Sequence, residues 1–402
     1  IRRVKPDAPV LALTATATRR VMDDIMERLQ FREKKVFRMS FKRDNLAYVV
    51  REALDKYAEL LHILKLVEGS AIIYTRSRRR SKVVSEWLEQ QGVSATFYHA
   101  GLEPAIKDER QKLWQTDKKR VMAATNAFGM GIDKPNVRLV IHLDCPDSVE
   151  AYFQEAGRAG RDGKKAYAIL LWNGHDHAVL AKRIKTTFPS KEIVRDVYDH
   201  LAYFFQVGLG SGNGHTFTFN IDQFCYIYHF YPLYVNSALH ILQSAGYIEY
   251  ETDPDARARL RFLLGRDELY KLYETTPNEE AVISALLRNY SGLFSDYRYV
   301  EEALISQVSG LSQNEVYLIL KSLSHRRILH FIPQRKTPFI TYTQDRIDGC
   351  DVVIPASVYD QRKEQFIKHV NAIEAYATNN HVCRSRQLLR YFDETKSEDC
   401  GI

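Results

Sequence analysis

The stretch YFQEAGRAGRDG at residues 152–163 places Gln154, Arg158 and Arg161 along a helix and its exit loop, between two β-rich runs. Arginines three apart share one face of a helix, so the spacing lets both guanidinium groups point at a single anion. Their charge is permanent and planar, which suits the charge spread over a γ-phosphoryl group in transfer. Alone, the pair reads equally well as a solvated surface. Just upstream, RVMAATNAFGMGIDKPNV (120–137) is an apolar strand ending at Thr125, followed by Gly129 and Gly131, which allow the backbone close to a ligand. Asp133 then stands where a ribose hydroxyl could be accepted. Elsewhere a Gly-x-Gly before an aspartate is a plain turn, and only the combination of blocks gives it weight.

Outward from these blocks, short β-rich runs alternate with helical stretches, the pattern of a parallel sheet covered by helices. The pattern predicts strands at 10–14, 71–75, 95–98, 120–124, 138–143 and 166–172, and helices at 18–29, 79–91, 104–116 and 148–157. The last two helices open at Glu103-Pro104 and Asp147-Ser148, both good helix starts. The polar run SFKRDNLAY (40–48) reads as a linker. Residues 1–40 are then the tail of one α/β domain and 41–190 a second.

Taken together, LALTATAT (11–18), IIYTRSRR (72–79), FYHAGL (97–102), AATNAFGMGIDKPNVRLVIH (123–142) and YFQEAGRAGRDG resemble the run from motif III to motif VI of superfamily-two helicases. They are most similar to the RecQ family of DNA helicases. The resemblance spans roughly residues 10–172 and implies an ATP-dependent motor of two RecA-like domains moving 3′ to 5′ on single-stranded DNA. By position, it makes Arg161 the γ-phosphate finger, with Arg158 and Gln154 beside it. Asp133 would meet the ribose, with Gly129 and Gly131 in its neighbourhood, and Thr14 with Thr16 would couple hydrolysis to movement. Ser77, Arg78, Thr125, Arg76 and His99 would contact DNA phosphates, although His99 reads as well as a hydrogen-bonded turn histidine.

From about 191 the pattern turns helical. The stretch GLGSGNGH (208–215) reads as a flexible loop, because it lacks the Lys-Ser/Thr ending of a phosphate cradle. Two segments, about 220–264 and 300–343, each give two short helices and two β-rich runs across a charged turn, resembling winged helices over 191–275 and 276–350. The basic turn at 333–338 is the better candidate for a wing that touches DNA. Residues 351–402 read as two helices bracketed by Cys383 and Cys400, and resemble a truncated RecQ zinc-binding region that holds two of the four ligands a structural zinc needs.

The chain has 402 residues, 45% apolar and 27% charged, enough for two to three domains and unlike a disordered chain. No run of 18 apolar residues suggests a membrane span. Five scattered cysteines argue against a disulfide framework and for the cytoplasm. Residues 1–190 hold 35 Lys and Arg against 23 Asp and Glu, while 191–402 hold 22 against 27. The first part is thus strongly cationic, which suits a polyanion. The chain opens at Ile1 without a Met and contains no GxxxxGK[ST] and no DExH pair, so it reads as a fragment whose phosphate cradle and Mg²⁺ ligands lie upstream. Single-stranded and duplex DNA and ATP are the expected partners, with zinc in the full-length protein. A non-catalytic DNA-binding scaffold and an RNA helicase of the same superfamily are the alternatives.

Overall fold

Runs such as Ser70–Tyr74 and Val121–Ala124 have no polar alternation, as strands covered on both faces require, and every residue in them is buried. In the computed structural model they lie at the heart of a six-stranded, wholly parallel sheet. The structure describes residues 5, 8–14, 16–129, 132–252, 258–269, 275–333 and 338–401. It divides into two units, Ile1–Lys185 with Asp360–Ile402, and Thr186–Tyr359.

The first unit contains strands β1 (Leu46–Glu52), β2 (Ser70–Tyr74), β3 (Ala95–Tyr98), β4 (Val121–Ala124), β5 (Val137–His142) and β6 (Ala166–Trp172), in the spatial order β1-β6-β5-β2-β4-β3. Helices α1 (Arg19–Arg28), α2 (Lys56–Leu66), α3 (Arg78–Gln90), α4 (Pro104–Gln115), α5 (Val149–Ala156) and α6 (Gly174–Thr187) accompany them. One face of the sheet buries Ile72, Met122, Val140 and Leu170, and the other Ile73, Ala123, Ile141 and Leu171. Because all six strands run the same way, their carboxyl ends, and the loops that follow, share one edge.

Two expectations fail here. Residues 10–14 form no strand, since a ladder needs a neighbour and the six strands of this sheet find theirs among themselves. The expected linker at 40–48 runs into an edge strand, β1, whose Leu46 pairs with Ala166 of β6. Among the described residues no helix is long and apolar enough to cross a membrane.

Of the expected segment 351–402, residues 360–402 belong to this same unit, whereas Val352, Ile354 and Tyr359 join the core of the other. Val370 and Ile373 of one long helix (Asp360–Thr378), and Leu388 with Phe392 at the next (Arg384–Tyr391), complete the core on one sheet face. Phe392 meets Phe153 and Phe41 at ring-centroid distances of 4.9 Å each.

The second unit pairs its strands differently from the expectation. The expected pairing lies within each segment, between the two β-rich runs that flank the charged turn of 220–264 and of 300–343. Instead β8 (Ile248–Glu251) pairs with β12 (Phe339–Tyr342), which also pairs with β7 (Thr216–Thr218). The strand β9 (Arg259–Phe262) lies between β10 (Arg298–Tyr299) and β11 (Leu329–Ile332). One domain, 258–333, is therefore inserted between two strands of another, so the boundary at 275–276 does not hold. The cores show why. Ile248, Tyr250, Ile340 and Tyr342 bury together with Phe219 and Phe224, whereas Leu260, Phe262, Leu329 and Phe331 join Leu286 and Leu320. Residues 253–257 and 334–337, including most of the expected basic wing, lie outside the described residues. The Gly-rich loop at 208–215 is pinned rather than flexible: Gly210 N donates to Arg346 O and Gly214 N to Tyr342 O, each at 2.8 Å.

Candidate functional site

The loop after β4 is fixed from below. Phe128 and Ile132 sink into the core, and the Tyr74 hydroxyl donates to Phe128 O at 2.9 Å. The buried ammonium of Lys134 reaches Asp117 Oδ1 at 2.8 Å and Gln115 O at 3.0 Å. With these side chains turned inward, Asp133 is left projecting, its side chain 86% exposed. Gly131 lies outside the described residues.

Helix α5 stops at Ala156, so Arg158 and Arg161 do not share a helical face as expected. They lie in the exit loop, where Gly160 takes a φ of +63° and its N–H donates to Val137 O at 2.9 Å. Both arginines nevertheless converge on the loop after β4. Arg158 donates to Gly129 O, and a Cβ at Gly129 would overlap its guanidinium, which explains a glycine there without invoking a ligand. Arg161 Nη1 donates to Ile132 O and to Asp133 Oδ1, both at 2.9 Å. Gln154 is exposed on α5. Thr14 and Thr16 make a local contact, Thr16 N donating to Thr14 Oγ1 at 3.3 Å.

A second group follows the ends of β2, β3 and β4. Ser77 caps α3, its hydroxyl accepting from Arg80 N at 3.0 Å, and Thr125 is buried with its N–H on Tyr98 O at 3.2 Å. Arg78 is exposed and its guanidinium lies over the Gly101 backbone, where a Cβ would collide. His99 lies close enough to Arg78 and Arg110 that burial and these cations together hold its imidazole below the usual range. Arg76 differs from its neighbours: it pairs with Asp147, donates to Cys145 O at 2.6 Å, and its N–H donates to Asp144 Oδ2 at 3.0 Å. Sequence reading missed these carboxylates. They line a cleft of about 120 Å³ with His142, Glu155 and Asn126. The cleft lies between β2 and β5, from which the connections leave in opposite directions, the place where parallel sheets bind ligands. The only sequence signal was three acidic residues soon after a predicted strand.

Cys383 and Cys400 come together as expected, their sulfurs 3.3 Å apart. Burial pushes the Cys383 thiol up, but backbone N–H groups of Arg386 and Cys400 outweigh it and favour the thiolate. Two thiols with that bias fit a tetrahedral zinc, for which roughly 3.8 Å between sulfurs follows from Zn–S bonds of about 2.3 Å. They supply half of the ligand set, and among the described residues no cluster of three or more potential ligands occurs.

Comparison with known families defines the class first: residues 54–163 match the helicase conserved C-terminal domain. Residues 260–333 match the RecQ helicase winged-helix domain of Bacteroidota, and 342–402 the RecQ zinc-binding domain. Together with the relatives below, these matches support a RecQ-family C-terminal portion. It is 42% identical over 191 residues to the ATP-dependent DNA helicase RecQ of Haemophilus influenzae, covering 47% of this chain and 31% of that protein. It is 43% identical over 183 residues to the RecQ-like DNA helicase blm-1 of Caenorhabditis elegans, covering 45% and 18%. The chain thus spans less than a third of these relatives' length. A solved structure, Saccharomyces cerevisiae Dbp5 bound to RNA and ADP BeF3, is 22% identical with a TM-score of 0.37 over 46% of this chain and 51% of that one. The winged-helix match falls on the inserted domain. The zinc-binding match is divided between the units: its residues 342–359 belong to the second, and 360–402 pack against the parallel-sheet domain.

Proposed function

We propose that this chain is the carboxyl-terminal portion of an ATP-dependent DNA helicase that moves 3′ to 5′ on single-stranded DNA. The observation that supports this most is the convergence of Arg158 and Arg161 on one loop, with Arg161 resting against the exposed Asp133. In this reading Asp133 accepts a ribose hydroxyl and Arg161, released from its ion pair, meets the charge that builds on the γ-phosphoryl group. Arg158 is a positioning residue that sets the Gly129 carbonyl, and Gln154, Thr14 and Thr16 lie along the same coupling route. Residues 1–402 contain no GxxxxGK[ST] and no DExH pair, so the phosphate cradle and the Mg²⁺ ligands come from other sequence of the same protein. Ser77, Arg78 and Thr125 track the DNA backbone at the edge of the sheet, with His99 beside them, while Arg76 holds their loop through Asp147. Cys383 and Cys400 contribute two thiolates to a structural zinc. Five scattered cysteines favour a cytoplasmic location.

The test is Arg161→Ala in the helicase that includes the phosphate cradle. DNA-stimulated ATP turnover should fall on the order of 10³-fold or more, with single-strand affinity nearly unchanged. Equal loss of turnover and binding would reassign Arg161 to DNA and favour a scaffold module.

A further inference from the structure

The inserted domain carries a surface that its helices do not explain. In an antiparallel sheet, directly opposed residues share a face. Tyr299 of β10 lies opposite Arg259 of β9, which lies opposite Ile332 of β11. One step along, Arg261 lies opposite His330, and Tyr297 continues the register just before β10. The intervening Leu260 and Phe262 point into the core. The outer face therefore holds two cross-strand rows, Tyr299–Arg259–Ile332 and Tyr297–Arg261–His330.

The rows are built, not scattered. The Arg261 and Arg259 guanidinium carbons lie 5.4 and 6.0 Å from the Tyr297 ring centroid, and the Tyr297 hydroxyl meets His330 Nδ1 at 2.5 Å. Arg261 Nε is buried with no hydrogen-bond partner among the described residues. Glu251 pairs with Arg259 at 3.2 Å. His330 is held below its usual range by burial and by both arginines. Tyr299 is 61% exposed and Tyr297 36%.

We propose that this sheet face is a binding platform for single-stranded DNA, in which bases stack on Tyr299 and Tyr297 and Arg259 and Arg261 take the phosphates. Aromatic rings beside arginines are what sequence-tolerant single-strand recognition requires, and a sheet face can present them. Tyrosines two apart on a strand are roughly 7 Å apart, about twice the 3.4 Å per-strand rise of a duplex, so the platform fits an unstacked strand and not paired DNA. The inference rests on the DNA-helicase reading for its choice of DNA over RNA.

Fluorescence anisotropy of a labelled oligothymidylate on the 402-residue chain tests it. Tyr299→Ala should weaken binding roughly 5- to 100-fold, the range of one lost base stack, and Tyr299→Phe, which keeps the ring, should bind as wild type. Thermal unfolding identical to wild type would show that the loss is not a folding defect. Unchanged affinity in Tyr299→Ala overturns the platform. If Arg78→Glu weakens binding in the same assay, the failure belongs to the platform alone and the helicase reading stands. Tighter binding of an oligouridylate RNA than of DNA, lost with Tyr299→Ala, would also overturn the assignment to DNA and would count against the DNA-helicase reading itself.

Discussion

The two units use β-strands in opposite ways. In the parallel-sheet unit each strand is followed by the loop that carries its chemistry, and Thr75, His99, Thr125 and Asp144 all stand within two residues of a strand end. In the nested unit the strands carry topology instead, and Tyr250 finds its partner Ile340 ninety residues away, across an entire inserted domain. A site made of loops anchored to local strand–helix units can be located residue by residue. A sheet closed by distant strands is decided by which core each strand completes.

The strongest challenge to a purely local account of the first unit is Lys56. Its ammonium is buried, 2.7 Å from Asp176 and 2.9 Å from Leu143 O, a pair that spans 120 residues. Lys56→Met leaves the carboxylate buried and unpaired and should cost about 3–5 kcal/mol in denaturant unfolding. A loss under about 1 kcal/mol would mean that the local units carry this domain without it.

The nesting of the second unit is tested by cross-linking. Glu249 lies directly opposite Thr341. Cysteines at both positions should oxidise to a disulfide and stabilise the chain by about 2–4 kcal/mol, whereas a chain with local hairpins would leave the thiols apart. Mass spectrometry of the oxidised digest distinguishes the two outcomes.

Two smaller effects sharpen the account of the sheet edge. Arg78→Glu should lower single-strand affinity and flatten the slope of log affinity against log salt by about one unit, as for one lost phosphate contact. An unchanged slope would move the DNA track away from α3. His99 has a folded pKa below that of the free imidazole, because burial and nearby cations disfavour its protonated form. Its contribution to stability is therefore complete above about pH 6.5 and is lost as pH falls through the lower folded value. His99→Gln should unfold with a shallower loss between pH 7 and 5 than wild type; identical curves would mean that the cations around His99 do not govern it.

The sequence by itself determined the parallel-sheet class, the ends of β3 and β6 to the residue, and the two arginines and aspartate that meet beyond β4. Strand and helix periodicities, capping residues and glycines act within a few residues, so their meaning survives without the rest of the chain. Tertiary structure alone decided three things. It ended α5 at Ala156, so that Arg158 and Arg161 reach one loop from a turn and not from a helical face. It gave Arg76, expected by position to contact DNA, a partner in Asp147, because a carboxylate seventy-one residues away was within reach. It also chose β12 over β9 for β8, since an alternating strand shows which side is buried but not which core receives it, and here two cores of similar apolarity competed for four similar strands.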